Sequence, residues 1–355
     1  MPPKKTTSKA KSDAAAYQQL KADLAGGTPA SLYFFFGEEV YLRDFYLGKL
    51  KELLIPQGLE DFNLHTLSGK ECDPQTLADA IDALPMMSEH SMIQINDVDV
   101  FKSNEDTLKA YASLLTNLPE YVCVVFVYDL ISMDKRTIKG DLGKYAKEHN
   151  ALVQFSRQST SDLVNWIQRR CKALGKDIDR TQSEYLIFVS GGLMTGLSTE
   201  IDKICAYAKE FSITKEDIDA VCDPVLDAVA FKMTDAIANG EFDQAAEVLS
   251  ELFAMQQPHI MILGALGHQV RQLYTARIAV EQSKSASWLV DIWGMKQSWS
   301  AQRLLRNAQR FPRDWYRQAV VLVGETDKKL KLSYNEGEAL LTELLVRLAE
   351  AAHLC

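Results

Sequence analysis

With 355 residues, 47% of them apolar and 25% charged, the chain has the make-up of an ordinary globular protein and is too long for one common core, so two or three domains are expected. Its formal net charge of −9 excludes a blanket attraction to nucleic acid or to an anionic membrane; contact with DNA would need a local basic patch or a partner's positive surface. The cysteines at 72, 123, 171, 205, 222 and 355 never form a C-x-x-C pair, and the histidines form no H-E-x-x-H pattern. That usage points to reduced thiols in the cytoplasm, with no metal, cofactor or disulfide framework. No apolar span of the ~18 residues needed to cross a bilayer is present, so a soluble protein is expected.

Residues 1–13, with Lys4, Lys5, Lys9 and Lys11 and no hydrophobic anchor, read as a disordered basic tail. A first helix is predicted from about Ala14 to Leu24. Ser31-Leu-Tyr-Phe-Phe-Phe36 is almost wholly apolar, which suits a strand buried on both faces. Gly37 then supplies a sharp turn, and Tyr41, Phe45, Leu50 and Leu53 recur at roughly helical spacing. Strand, glycine turn and helix is how a nucleotide-binding α/β domain begins. A working phosphate loop, however, carries several glycines and then Lys and Ser/Thr, so that backbone N–H groups and an ammonium cradle phosphate. Here Gly37 is followed by Glu38 and Glu39, two carboxylates that repel it.

The alternation of Phe62, Leu64 and Leu67 predicts a short strand over 61–67. Asp73-Pro74 reads as an N-cap with proline at the first helical position, and Leu77, Ala80, Ile81 and Leu84 share one helical face up to Pro85. Met86 and Met87 follow at the turn into a strand, Ser91–Asn96. They either fold back into the core or, since adjacent side chains at a turn seldom share a face, leave at least one thioether free to dock into a partner's apolar pocket. Residues 121–128 form a central-strand run and 151–155 the last strand, with a helix over 137–148 between them. The coarse order is a parallel-sheet α/β domain over 14–156.

Beyond Arg157 the periodicity is helical throughout. Helices are predicted over 162–174, 181–189 and 197–211, and Thr214 with Asp217 resembles a capping box. Pro224 marks the next boundary, so 157–223 reads as a small helical domain. Residues 224–355 read as a second one, with helices over 226–239, 242–256, 258–281, 285–293, 298–310, 312–333 and 335–352. Arg303, Arg306, Arg310, Arg313 and Arg317 can gather on one side of adjacent helices here, as solvated surface, subunit contacts or contacts to DNA.

An ATPase also needs a carboxylate pair at a strand end to hold magnesium and polarise water. The better candidate is Asn96-Asp97-Val98-Asp99, whose leading position is a neutral amide. The degenerate nucleotide site is therefore Gly37, Glu38, Glu39, Asn96 and Asp97, and no catalytic residue is assigned.

Several stretches, in order, carry a resemblance: Leu32-Tyr-Phe-Phe-Phe-Gly-Glu-Glu-Val-Tyr-Leu42, Leu84-Pro-Met-Met-Ser88, Val124-Val-Phe-Val127 with Asp134-Lys-Arg136, and Gly267-His-Gln-Val-Arg-Gln-Leu273. Asp327-Lys-Lys-Leu-Lys-Leu332 running into Glu338-Ala-Leu-Leu341 completes it. Over residues 17–352 the chain resembles the delta subunit of the bacterial DNA polymerase III clamp loader. The resemblance implies an AAA+-like domain that has lost ATP binding, then a helical lid and a helical collar. It implies a non-catalytic subunit of the replicative holoenzyme that binds the sliding clamp (beta) and opens its ring for loading onto primed DNA. Its partners would be ATPase subunits of the gamma/tau kind and a delta-prime subunit. Leu84, Pro85, Met86 and Met87 would occupy the clamp-binding wedge, where the family often has Leu-Phe or Phe-Phe. Two other readings compete: a nucleotide-hydrolysing loader ATPase of the gamma/tau kind, which predicts a lysine-containing loop and a cysteine cluster that the sequence lacks, and an AAA+-like scaffold that binds DNA by itself.

Overall fold

The computed structural model describes residues 9–69, 72–295, 298–332 and 336–353. The chain forms two compact units, Met1–Gln158 and Ser159–Cys355.

In the first unit the order is α1 (Lys9–Gly26), β1 (Leu32–Gly37), α2 (Val40–Leu54), α3 (Glu60–Asn63), β2 (Leu64–Ser68), α4 (Pro74–Asp82), β3 (Ser91–Asn96), α5 (Glu105–Leu115), β4 (Val122–Val127), α6 (Gly140–Glu148) and β5 (Leu152–Phe155). The five strands lie in the order β2-β3-β4-β1-β5, every pair parallel. Strands β1 and β4 pair with Leu32 opposite Val124 and Phe35 opposite Val127, which puts the two most apolar runs of the chain side by side.

Both faces of this sheet are covered, and the alternation of side chains along each strand divides the core in two. Phe34 and Phe36 of β1, Ile93 and Ile95 of β3, and Val124 and Phe126 of β4 face α4, α5 and α6, with Phe34 stacked on Phe126 at 4.8 Å. Tyr33 and Phe35, Met92, Val125 and Phe155 face α1 and α2, with Phe35 edge-on to Phe155 at 5.1 Å. The unbroken hydrophobicity of residues 32–36 thus reflects burial on two sides.

Several boundaries depart from the sequence reading, three of them in the first unit for plain local reasons. The tail expected over 1–13 lies outside the described residues as far as residue 8, and α1 begins at Lys9, where Lys and Ala are strong helix formers. The strand expected from Asp61 begins only at Leu64: Phe62 and Asn63 donate their backbone N–H groups to the Leu59 carbonyl in the turn of α3, which leaves Phe62 exposed. Helix α4 stops at Asp82, ahead of Leu84, because Ala83 is already extended.

The second unit contains α7 (Thr160–Ala173), α8 (Arg180–Ser190), α9 (Met194–Tyr207), α10 (Lys215–Val221), α11 (Leu226–Asn239), α12 (Phe242–Ala254), α13 (His259–Glu281), α14 (Ala286–Trp293), α15 (Ser298–Asn307), α16 (Arg313–Leu332) and α17 (Gly337–His353). Thr214 and Asp217 form the capping box at the start of α10. The Val225 N–H donates to the Val189 carbonyl at 2.9 Å, and Phe188 meets Phe231 edge-on, so α8 and α11 are tied together. Helices α13 and α16 approach closely at Gly267, where an added Cβ would sit 2.9 Å from Val323. Trp315 and Tyr316 fill the middle of this core, donating to the carbonyls of Leu348 and Asn307. Among the described residues no helix is long and apolar enough to cross a membrane.

Gly37 is the tightest joint of the first unit. Its φ is +130°, and a Cβ there would stand 2.2 Å from the Phe155 carbonyl oxygen. Gly37→Ala is expected to destabilise the chain by at least ~2 kcal/mol. The check is the midpoint of urea unfolding followed by circular dichroism; a midpoint equal to wild type would show that β1 and β5 can separate at no cost.

Candidate functional site

The carboxyl edge of a parallel sheet is where α/β domains place their ligands, and here it is furnished by protein groups. After Gly37 the Glu39 N–H donates to the Phe155 carbonyl at 3.0 Å, and the Glu39 side chain is wholly buried. Glu38 turns outward and pairs with Arg157 at 2.7 Å. The buried cation in this region is not a phosphate-loop lysine but Arg43, in the first turns of α2. Its buried guanidinium donates to the Tyr128 carbonyl at 3.1 Å and pairs with Asp129 at 2.8 Å and with Asp44 at 3.0 Å. Burial pulls the Arg43 pKa down, and the hydrogen bonds to Asp129 and Asp44 more than offset it. Its positive charge is thus committed to the end of β4.

Asp97 follows β3 with φ +57°, and its Oδ1 accepts the backbone N–H groups of Asp129, Leu130 and Ile131 at 2.8, 2.7 and 3.2 Å. Asn96 Oδ1 accepts from Gln94 at 2.8 Å, and Asp99 pairs with Lys102 at 3.0 Å. Burial, and then the Asp99 carboxylate, push the phenol of Tyr128 above its ordinary range. The expected degenerate site is therefore brought together at one edge, but as a set of internal bonds. Past it, Arg136 binds Asp134 in a bidentate pair with distances of 3.0 and 2.8 Å and holds that carboxyl down to about 2. Lys135 lies over the Phe36 ring at 5.5 Å.

At the other end of β3 the turn 83–90 shows what the sequence left open. Leu84 is exposed, Met86 is 55% exposed and Met87, with φ +54°, is 87% exposed, while Pro85 is half-buried. Neither methionine folds back into the core. The turn is nonetheless fixed. Asn63, fully buried between α3 and β2, accepts the Met86 N–H at 2.7 Å and donates to the Met86 carbonyl at 3.0 Å. Ser88 Oγ donates to the His90 carbonyl at 3.0 Å and accepts its N–H at 3.3 Å. Sequence reasoning missed Asn63, which it had placed within a strand; only its polarity amid an apolar alternation marked it.

The five arginines of the second unit do not act alike. Arg303 is half-buried over the Phe231 ring and bound to Asp235, which Asn307 also contacts. Burial, and then the neighbouring Arg306, lower the Arg303 pKa. Arg313 lies 3.8 Å from Glu281 and Arg317 3.6 Å from Asp314, both at the surface. Arg306 and Arg310 are exposed. The five described cysteines are free thiols, four of them buried; Cys355 lies outside the described residues.

Two family models match the chain. One, described as DNA polymerase III, delta subunit, covers residues 33–156; the other, DNA polymerase III delta subunit, C-terminal domain, covers 227–348. The chain belongs to the DNA polymerase III delta subunit family. It is 20% identical over 342 residues to DNA polymerase III subunit delta of Bacillus subtilis (strain 168), covering 92% of this chain and 94% of that one. To the probable DNA polymerase III subunit delta of Aquifex aeolicus (strain VF5) it is 21% identical over 326 residues, covering 88% and 90%. In fold it is similar to the solved Bacillus subtilis DNA clamp loader delta protein, with a TM-score of 0.53 and 17% identity over 94% of this chain and 99% of that one. Membership of the delta family makes this a non-catalytic subunit.

With no lysine in the Gly37 turn and Arg43 committed to Asp129, the chain is expected to retain no ATP in equilibrium dialysis with magnesium and to hydrolyse none. Saturable micromolar binding to the isolated chain would contradict that reading of the strand edge.

Proposed function

We propose that this delta-family chain binds a ring-shaped sliding clamp through the turn at Leu84–Met87 and opens the ring for loading onto primed DNA. The observation that carries the proposal is the state of the two methionines: large apolar side chains held out in solvent on a turn whose backbone is clasped by a buried asparagine. Monomeric proteins seldom hold adjacent large apolar side chains outward on a fixed turn without a partner for them. Fixing the backbone beforehand lowers the ordering cost of docking, and thioethers adapt to the pocket they enter. Leu84 and Pro85 flank them as further apolar contact.

In this reading the first unit is AAA+-like and binds the clamp (beta) without nucleotide. Residues 157–223 serve as a lid and residues 224–355 as a collar that joins ATPase subunits of the gamma/tau kind and a delta-prime subunit. Exposed Arg306 and Arg310 are the arginines best placed to meet a partner or primed DNA in the assembly. Arg303 is not, because its charge is matched by Asp235. The bonds that fill the strand edge weigh against a loader ATPase, and the net charge of −9 weighs against a DNA-binding scaffold acting alone.

Burial of both methionines would contribute roughly 3–6 kcal/mol before ordering costs are subtracted. Changing Met86 and Met87 together to alanine is expected to weaken binding to the cognate clamp at least ~10-fold, about 1.4 kcal/mol. Because both side chains are exposed, the melting temperature of the free chain should stay at the wild-type value. Calorimetry on the purified clamp, paired with a thermal melt, checks both; unchanged affinity would move the docking site elsewhere.

A further inference from the structure

The turn after β4 is gripped from two directions by groups distant in sequence. From β3, one carboxylate oxygen of Asp97 accepts three consecutive N–H groups, those of residues 129, 130 and 131. From α2, buried Arg43 donates to the Tyr128 carbonyl and pairs with the Asp129 carboxylate. The two grips meet on adjoining atoms of residues 128–131, and Asp97 is itself anchored to β4 by its N–H on the Val127 carbonyl at 2.9 Å. Glycine turn, strand ends and following helix are the parts that a bound nucleotide bridges in a phosphate-binding α/β domain. Here the bridging groups are a carboxylate and a guanidinium of the protein itself. On the turn sits Leu130, 88% exposed, held by its own N–H.

We propose that Asp97 and Arg43 form a nucleotide-independent latch, a cooperative pair of contacts that holds the β4–α6 turn and the exposed Leu130 in one fixed geometry. A carboxylate accepting several N–H groups polarises the turn it holds, and fixing Asp129 from the Arg43 side keeps those N–H groups aimed at one point. Loosening one grip therefore loosens the other, although Arg43 makes no bond to the N–H of Leu130 or Ile131. The latch is independent of the proposed clamp site, which lies at the opposite end of β3.

Hydrogen exchange on the full chain tests it, with Asp97→Ala, Asp129→Asn and the double variant. Asp97→Ala is expected to lower protection of the amides of 129–131 at least ~10-fold. Asp129→Asn, which keeps the shape of a half-exposed side chain and removes its charge, is expected to lower protection at Leu130 and Ile131 at least ~3-fold. The double variant should lose less than the product of the two, amides within β4 should stay protected in all three, and magnesium-ATP should change none of these rates in the wild type. The proposal is overturned by losses that multiply, by Leu130 and Ile131 amides indifferent to Asp129→Asn, by equal loss along β4, or by a wild-type turn that responds to ATP.

Discussion

A parallel sheet covered by helices on both faces can offer other molecules only the ends of its strands. Residues 32–36 and 122–127 leave this chain no alternative, because nearly every side chain in them is buried against one helical layer or the other. The sheet itself is consequently open to other molecules only at its two edges, and the two edges have been finished differently. At the carboxyl edge polar groups are turned upon one another, Arg43 on Asp129 and Asp44, Glu38 on Arg157 and Asp97 on the N–H groups of the following turn, with Leu130 exposed beside them. At the amino edge, apolar side chains that the core did not take are held out in water. An apolar contact surface carries its driving force with it, whereas polar groups already bonded to one another have little to give.

The amino edge also shows how a short turn can be made dependable without being buried. Asn63 uses both its amide oxygen and its amide nitrogen on the backbone of one residue, Met86, as a neighbouring strand would. The asparagine itself sits at the junction of α3 and β2, so the geometry of the turn is inherited from the sheet. Side-chain identity at 86 can then vary among apolar residues without altering the clasp on its backbone, whereas position 87, at φ +54°, disfavours β-branched ones.

The sheet, its parallel order and the helical remainder were legible because they rest on hydrophobic periodicity: the runs at 31–36 and 121–128 cannot be read as half-exposed strands, and the leucines of 340–348 can only form a helix face. Capping residues such as Asp73, Thr214 and Asp217 were legible for the same local reason. The roles of Asn63, Arg43 and Asp97 were not, although the sequence marks Asp97 as part of the degenerate nucleotide site. Each acts on residues far along the chain, at separations of 23, 85 and 32 positions for the bonds to Met86, Tyr128 and Asp129. No local pattern records such a partner. The absence of a phosphate-loop lysine could be read from the sequence, but the internal bonds at the strand edge could not.

Thioethers in the open have a chemistry that leucine or phenylalanine at the same positions would lack. Oxidation of Met86 or Met87 would set a polar, chiral sulfoxide where the turn now shows a thioether, and it would do so without disturbing the core beneath. Reductases specific for each sulfoxide epimer can reverse the change. Among the described residues of the first unit these are the two most exposed thioethers, so oxidation there would change what the chain shows to its surroundings before it reached the core.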